Sequence, residues 1–390
     1  MPAPIAQWKS WSIGTKLSFN VIGIFALVLT GFVVTVYLVT DRVMERRAGQ
    51  DIAEKTELLL HLMESADRDL RKQIGFMAKS FQGKLGGSLE IGSETIDILG
   101  KPTPVLKLNN TPLNLNFALV DGFTQTTGIV ATVFARTGDD FLRVTTSLKN
   151  EKGERAIGTL LDRAHPGYKA VLDGRAYTGM ATLFGHKYMT QYDPIKDSSG
   201  KLIGLSFVGL DFTAYVAELY ATFQHLKVGK TGYFYVLDAR PGDKLGNVLV
   251  HPTAVGKNLL DARDNDGRPF IRDMLERKEG VIRYPWINKE LGETSPRDKV
   301  VAFVTLPSWQ ILIAGGAYVD EFTEDTRALV RYFSLGGGAL IVVLALVLYR
   351  FIRWFISLPL GRVTAAAQSL ARSLWRSRKL THLCSLELTH

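Results

Sequence analysis

The sequence predicts an α+β protein in which a long N-terminal helix and two tandem modules with antiparallel sheets lie between two transmembrane helices. Three observations predict this class: two long apolar runs without charge, a helical apolar periodicity after the first run, and an internal repeat. A chain of 390 residues has room for about two to three domains.

The internal repeat is a gapless stretch of thirteen residues. TGIVATVFARTGD at residues 127–139 recurs as TGYFYVLDARPGD at residues 231–243, with six identical positions. Each copy is an apolar run that leads into a Gly- and Asp-rich turn, which is typical of a buried strand entering a hairpin. Common turn dipeptides can match by chance, but the gapless register favours two similar domains in tandem. Arg136 and Arg240, which the copies share, are interpreted as structural.

The two apolar runs, residues 17–40 and 332–349, contain no charged residue. At about 1.5 Å per residue the first extends about 36 Å, enough to cross a bilayer core. A cleavable signal peptide is the alternative, but no small-residue cleavage site follows residue 40, which favours an uncleaved anchor. Arg331 and Arg350 bracket the second run, and its three consecutive glycines would allow close helix packing.

The net charge of +9 lies mainly at the two ends of the chain. Residues 1–16 contain two lysines and no acid, and residues 350–390 contain seven basic residues and one acid. Basic flanks beside apolar runs predict a cell-membrane protein with both termini cytoplasmic and residues 41–331 outside. The same distribution argues against nucleic acid as a partner.

Residues 41–84 are predicted to form one long helix that ends at a group of glycines. Its apolar stripe needs a partner, which is a neighbouring subunit, the following domain, or both. The stripe consists of Ile52, Leu59, Leu62, Ala66, Leu70, Ile74, Met77 and Phe81.

The remaining pattern predicts two α+β modules, each ending in two apolar strands. For the first we expect a helix near 165–173 and strands at 115–120, 128–135, 141–148, 189–195 and 201–210. A helical segment at 212–226 leads to the second, with a helix near 267–278 and strands near 233–238, 246–250, 281–286, 299–305 and 310–318.

The motifs in this order resemble a bacterial chemoreceptor with a Cache sensor. ARTGDDFLRVTTSL followed by HPGYKAVLDGRAYTG is similar to the type 3 Cache module, and TGYFYVLDARPGD followed by LVHPTAVGKNL to the type 2 module. Together they resemble the Cache 3/Cache 2 fusion of methyl-accepting chemotaxis proteins, with PAS-like modules, over about residues 41–325. Ser357-Leu358-Pro359-Leu360 resembles the start of a HAMP linker.

The resemblance implies a division of the chain into successive parts. The predicted parts are a cytoplasmic N-terminus (1–16), transmembrane helix 1 (17–40), a long outer helix (41–90), a membrane-distal type 3-like module (91–215), a membrane-proximal type 2-like module (216–325), transmembrane helix 2 (332–349), a partial HAMP linker (350–371) and an atypical tail (372–390). Because Arg372 onward departs from a HAMP, the expectation is a chain that is truncated or out of frame there.

No motif for catalysis, metal or a cofactor stands out. The sequence has no G-x-S-x-G, no H-E-x-x-H, no Cys-x-x-Cys and no phosphate loop, so we expect neither an enzyme nor a cofactor. The histidines are scattered, which makes metal ligation an unfavoured alternative. With one cysteine, Cys384, no intrachain disulfide is possible.

A ligand pocket is predicted first in the membrane-distal module. Arg, Lys, His and Tyr offer the donors that a small organic anion needs, although a solvated strand face or core aromatics would explain each residue as well. The predicted ligand-binding residues are Arg143, His165, Tyr168, Lys187, Tyr188 and Tyr192. The resemblance adds that related dicarboxylate sensors use a basic set around a His-Pro, here His165-Pro166.

A possible second pocket is predicted in the membrane-proximal module, which binds a ligand or only relays the signal. Its residues resemble positions near the type 2 Cache pocket. They are Tyr233, Tyr235, His251, Tyr284, Trp286 and Lys299.

The predicted function is a transmembrane chemoreceptor that binds a small organic anion, a carboxylate, outside the cell (inner) membrane. A homodimer is expected, and a cytoplasmic chemotaxis kinase and adaptor are partners only if the full-length chain carries a signalling hairpin. The alternatives are the sensor portion of a histidine kinase or nucleotide cyclase, and a membrane-anchored extracytoplasmic enzyme. The ligand's identity and the sign of the response do not follow from the residues.

Overall fold

The computed structural model describes residues 13–288 and 292–386. The chain forms two compact units. Of the described residues, those from 48 to 319 form the sheet unit, and residues 13–47 with residues 320–386 form the helical unit. The predicted α+β class, with a long N-terminal helix, antiparallel sheets and two apolar helices, is confirmed.

Helix α1 (Ile13–Lys84) is 72 residues long, and its sheet-unit part buries one apolar stripe. The buried residues are Ala48, Ile52, Leu59, Met63, Ala66, Leu70, Ile74, Ala78 and Phe81. The predicted stripe was wrong at Leu62, which is 46% exposed, and Met77 is only half-buried. Met63 and Ala78 occupy the buried positions instead, because the 3.6-residue period alternates steps of three and four.

The first module is built on a five-stranded antiparallel sheet with the order β5-β4-β8-β7-β6. A separate three-stranded sheet, β1-β2-β3, precedes it. The elements are β1 (Leu89–Ile98), β2 (Lys101–Leu108), β3 (Thr111–Pro112), α2 (Ala118–Thr127), β4 (Val130–Thr137), β5 (Asp140–Thr146), α3 (Pro166–Leu172), β6 (Tyr177–Leu183), β7 (His186–Lys196) and β8 (Leu202–Asp211).

The strand predicted at 115–120 was wrong, because α2 begins there. Leu115 has a φ of 59°, which a strand does not allow. The Asn116 side chain accepts a hydrogen bond from Ala118 N at 3.2 Å, a local turn that competes with strand pairing. Strands β1 to β3 and β6 were not predicted.

The second module follows helix α4 and has the sheet order β11-β10-β14-β13-β12, with β9 paired to β10. Its inner face packs on α5 through a cluster that includes Phe270, Met274 and Leu312. The elements are α4 (Thr213–His225), β9 (Lys227–Val228), β10 (Gly232–Asp238), β11 (Val248–Val250), α5 (Phe270–Arg277), β12 (Glu279–Trp286), β13 (Arg297–Leu306) and β14 (Ile311–Tyr318).

The repeat places its two apolar runs on corresponding strands. Strands β4 and β10 each pair with the last strand of their own module, β8 and β14. The predicted hairpin follows β4, where Thr137 pairs with Asp140 across Gly138. It was wrong for β10, whose partner β11 starts at Val248 after a longer connection.

The helical unit contains the other end of α1 and the helices that follow β14. Helix α6 (Val319–Ile352) leads through a π-helical turn (Arg353–Ser357) into α7 (Leu358–Leu386). An 18-residue window of mean hydropathy 2.5 lies in α1, and one of 2.2 in the helical stretch that begins with α6. By length and composition both can cross a membrane. A Cβ at Gly337 would lie 2.9 Å from Leu29 Cδ2, so this glycine allows close approach of α6 to α1.

Candidate ligand-binding site

The first-module prediction centres on Arg143, which lies on β5 and is 7% exposed. Its Nη1 donates to Ala156 O at 3.2 Å, and the guanidinium carbon lies 5.0 Å from the centre of the Phe134 ring. Among the described residues its Nε has no hydrogen-bond partner, and no carboxylate pairs with it. Burial lowers the pKa of Arg143 to about 10, opposed by Tyr192. Arg143 is therefore a buried cation in the module core.

His165 caps helix α3. Its Nδ1 accepts a hydrogen bond from Gly167 N at 3.0 Å, and its ring centre lies 5.0 Å from that of Tyr192. Burial lowers the pKa of His165, with Asp162 opposing. A capping imidazole with a lowered pKa is a neutral structural group near neutral pH.

The hydroxyl of Tyr168 also has a structural partner. It donates to Asp139 O at 2.6 Å, which joins helix α3 to the hairpin between β4 and β5. Tyr192 is buried against Phe207, with ring centres 5.0 Å apart. Tyr168 and Tyr192 belong to the buried core of the first module, Arg143 is buried beside them, and half-buried His165 packs on Tyr192.

Lys187 and Tyr188 do not join that core cluster. They are adjacent on β7, and adjacent strand residues point to opposite faces. Lys187 Nζ lies 5.1 Å from the centre of the Tyr220 ring on α4, whereas Tyr188 lies beside His186. Four of the six predicted residues thus lie close together, and Lys187 and Tyr188 lie outside that group, although Lys187 lines a cavity that His165 also lines.

The six residues of the possible second pocket all come together on one face of the second sheet. Tyr233 and Tyr235 alternate along β10, and Tyr284 pairs with Lys299 across β12 and β13. The His251 ring centre lies 4.8 Å from that of Tyr233. Tyr284 and Trp286, with ring centres 6.3 Å apart, both contact Phe270 of α5.

Lys299 is the charged member of this set and is only 2% exposed. Its Nζ lies 3.9 Å from the ring centre of Tyr233, 5.8 Å from that of Tyr235 and 5.7 Å from that of Tyr318. Within the described part of the chain no hydrogen bond or ion pair reaches this ammonium. Burial lowers its pKa to about 7, with the charge of Glu293 opposing.

Gly316 makes room for the Lys299 side chain. A Cβ at Gly316 would lie 2.8 Å from Lys299 Cε and equally close to Val301 Cγ2. These separations are shorter than van der Waals contact between carbons. The glycine of β14 therefore sets the path along which the lysine stem reaches the tyrosines.

A cavity of about 480 Å³ lies beside this cluster. It is lined by Tyr233, His251, Ala254, Lys257, Leu259, Arg263, Asp264, Asn265, Trp286, Ile287 and Asn288. Ligand cavities commonly measure about 300–1,000 Å³, so this volume suits a small molecule.

Two polar groups have a defined orientation at the cavity wall. His251 Nδ1 accepts hydrogen bonds from Thr253 N and Ala254 N, so Nε2 carries the ring proton of the neutral imidazole. Asn288 Nδ2 donates to Tyr233 Oη at 3.4 Å, and Asn288 N donates to Glu293 Oε2 at 2.7 Å. The wall thus presents hydrogen-bond donors.

Sequence reasoning missed Asn288 and the loop residues Lys257, Arg263 and Asp264. Asn288 continues the alternation of Tyr284 and Trp286, a signal that was available. The loop residues carry no periodic signal, because the chain between β11 and α5 is irregular.

The cavity wall combines polar side chains with an aromatic ring system, as the walls of small-molecule sites do. Lys299 is not one of the lining residues, but its ammonium lies 3.9 Å from the ring centre of Tyr233, which is one. Among the described residues, no group of three or more His, Cys, Asp or Glu side chains is placed to hold a metal ion.

Residues 38–332 match the family model of the Cache 3/Cache 2 fusion domain. The chain is also similar to the methyl-accepting chemotaxis protein McpP of Pseudomonas putida, with 25% identity over 174 residues. That stretch is 40% of this chain and 30% of McpP, so the similarity spans less than a third of the relative's length.

Solved structures show partial likenesses. One, described as the structural basis for carboxylic acid recognition by a Cache chemosensory domain, is 23% identical, covers 27% of this chain and 73% of that one, and has a TM-score of 0.24. The ligand-binding domain of the Pseudomonas fluorescens chemoreceptor CtaA in complex with L-isoleucine is 15% identical, covers 73% and 98%, and has a TM-score of 0.38.

Proposed function

Because the chain belongs to the Cache 3/Cache 2 fusion domain family, we propose that it is the sensory part of a transmembrane chemoreceptor whose second module binds a small organic carboxylate. One observation supports both a carboxylate as the ligand and the second module as its binding site. Lys299 Nζ is buried among three tyrosine rings beside a cavity, and no described residue forms a hydrogen bond or an ion pair with it. A buried ammonium without an anion is costly, and an incoming carboxylate offsets that cost.

We place the carboxylate in the cavity, whose wall includes Tyr233, His251 and Asn288. The Lys299 ammonium, 3.9 Å from the centre of the Tyr233 ring, is the positive charge next to that wall. The rest of a small ligand lies against Trp286 and the loop residues. We prefer this site to the first-module set, because the hydroxyl of Tyr168 is already engaged and the Arg143 guanidinium packs against Phe134 in the module core.

The two apolar helices and the basic flanks support a two-pass membrane protein. In this proposal both termini are cytoplasmic and the sheet unit lies outside the membrane. The similarity to a methyl-accepting chemotaxis protein supports chemotaxis as the output, with a homodimer and a cytoplasmic kinase and adaptor as partners.

The path from ligand to membrane is short along the chain. Tyr318, whose ring is one of those around Lys299, is the last residue of β14, and α6 begins at the next residue. A ligand that changes the packing of Tyr318 therefore acts at the start of the helix proposed to cross the membrane. A coupling of about 1–3 kcal/mol is typical of such transmission.

Titration calorimetry on the chain in lipid nanodiscs tests the site. Acetate, propionate, pyruvate and succinate serve as ligands, with the matching primary amides as uncharged controls. We expect at least one carboxylate to bind and Lys299→Met to weaken it about 10- to 100-fold, because a charge-assisted hydrogen bond is lost.

Lys244→Met is the matched control, since Lys244 is an exposed lysine of the same module. It should leave the affinity unchanged. Equal binding of carboxylates by the wild-type and Lys299→Met chains would show that the ligand is held elsewhere.

A further inference from the structure

A second cavity, of about 450 Å³, lies between the two modules, away from Lys299. We name it the inter-module cleft. Its walls come from the first module, from α4 and from the second module. It is lined by Asp162, His165, Met180, Ala181, Thr182, Leu183, Lys187, Phe212, Tyr220, Asp238, Arg240, Leu249, Trp309, Gln310 and Ile311.

Lys187 brings an ammonium to this cleft. Strand alternation turns it away from the core of the first module, and its Nζ lies 5.1 Å from the centre of the Tyr220 ring. No hydrogen bond or ion pair to this Nζ exists in the described part of the chain. Burial and the neighbouring Arg240 lower the pKa of Lys187, with Asp238 opposing.

The acids that line the cleft are already engaged. Both carboxylate oxygens of Asp238 accept from Arg240, which donates through Nε and Nη2. Asp162 Oδ1 accepts from Ala164 N at 2.9 Å. Among the described residues, neither acid forms an ion pair with Lys187 Nζ, although the charge of Asp238 acts on it.

Tyr220 adds a buried donor. Its hydroxyl is shielded from solvent and has no hydrogen-bond partner in the described residues. An unsatisfied buried hydroxyl costs roughly 1–3 kcal/mol, so such groups normally have a partner. Tyr220 itself lines the cleft, and the Lys187 ammonium faces its ring.

Much of the remaining wall is apolar. Met180, Leu183, Leu249, Ile311 and the indole of Trp309 contribute to it. The cleft thus offers a cation for an anionic head and an apolar surface for the body of a ligand.

We propose that the inter-module cleft is a second ligand site, which binds a monocarboxylate with an apolar tail through Lys187 Nζ and Tyr220 Oη. The tail lies against Trp309 and the apolar walls. Because both modules contribute walls, the bound ligand favours one arrangement of the two modules and so modulates the response to the first ligand.

Each cavity contains its own fluorescent reporter. Trp286 lines the cavity next to Tyr233, and Trp309 lines the cleft. In a Trp286→Phe chain in nanodiscs, titration with phenylacetate should change the tryptophan emission. Phenylethylamine, which has the same tail and the opposite charge, should give no change.

Two variants measure how much Lys187 and Tyr220 each contribute to phenylacetate binding. Lys187→Met should weaken phenylacetate binding at least about tenfold, and Tyr220→Phe about threefold or more, since each removes one hydrogen bond to the carboxylate. Tyr220→Phe removes only an unpartnered oxygen, so the chain keeps its thermal stability. Lys152→Met, at an exposed lysine of the first module, should leave phenylacetate binding unchanged.

The Lys299→Met background distinguishes this site from the one proposed above. Phenylacetate binding that survives Lys299→Met and falls with Lys187→Met supports the cleft, whatever the small carboxylates do. Binding lost in Lys299→Met, binding unaffected by both Lys187→Met and Tyr220→Phe, equal binding of phenylethylamine, or no phenylacetate binding overturns it.

Discussion

Trp309 Nε1 donates a hydrogen bond to Asp67 Oδ1 at 3.1 Å, joining two residues 242 positions apart. The bond fixes the turn between β13 and β14 of the second module to α1. The other oxygen of Asp67 accepts from Arg71 Nε, and Arg71 Nη1 donates to Thr178 O on β6 of the first module. One carboxylate on α1 thus takes part in holding both modules.

Asp67→Ala should destabilise the sheet unit, because it leaves the indole N–H of Trp309 without its acceptor and removes the carboxylate that pairs with Arg71 Nε. The expected loss is about 2–3 kcal/mol, and the melting midpoint measured by circular dichroism should fall by about 4 °C or more. Asp69→Ala, at an exposed position two residues on, is the control and should melt like the wild type. Equal midpoints for the two variants would contradict the role of Asp67.

Carboxylate binding should depend on pH through Lys299. The pKa of the free lysine is lowered to about 7, and a bound carboxylate raises it. Affinity is therefore greatest below pH 7 and falls as pH rises through the free pKa, by up to about tenfold per unit until the pKa of the complex is reached. Calorimetry in buffers of different ionisation enthalpy should also show proton uptake on binding above pH 7.

The Lys299→Met variant tests the origin of that dependence. Its residual carboxylate affinity should be flat between pH 6 and pH 9, since the titrating group is gone. A wild-type affinity that is equally flat over this range would show that Lys299 does not change its charge on binding.

Gly316→Ala should weaken carboxylate binding. The added methyl group would lie 2.8 Å from Lys299 Cε, so the ammonium moves away from the tyrosines or β14 shifts. We expect a loss of about tenfold or more, on the scale of one charge-assisted hydrogen bond. Gly122→Ala on α2, where a Cβ meets nothing within 4 Å, is the control and should bind normally. Wild-type affinity in Gly316→Ala would exclude this packing role.

Arg143→Met decides between the two modules. If the carboxylate binds at Lys299, a change at Arg143 in the other module should alter the affinity by less than about twofold, as for distant sites. The fold should tolerate the change, because replacing an unpaired buried charge by an apolar side chain of similar length is often neutral or stabilising. If the Arg143→Met chain keeps a normal melting midpoint but no longer binds carboxylate, the ligand binds in the first module.

The sequence determined the architecture well where periodic signals are strong. The charge-free runs, the α1 stripe and the two strand pairs that close the modules all appear in the structure. The stripe shifted by one residue at Leu62, and residues 115–120 turned out to begin α2. Such details depend on which side chains meet a partner and on local turn bonds that a pattern does not resolve.

Resemblance to the type 2 Cache module led to the Lys299 set, whose aromatic and basic members stand in the sequence as separate short motifs. They could not decide which candidates converge. Lys187 and Tyr188 were grouped because they are adjacent in the sequence. On β7 they point to opposite faces of the sheet, so Lys187 lines the inter-module cleft and Tyr188 does not. Only the pairing of β10 with β14 and of β13 with β12 placed Lys299 among the tyrosines, with Gly316 leaving the space for it. Sequence sets the chemistry that is available, whereas strand register and packing decide which charged groups are buried beside a cavity without a partner.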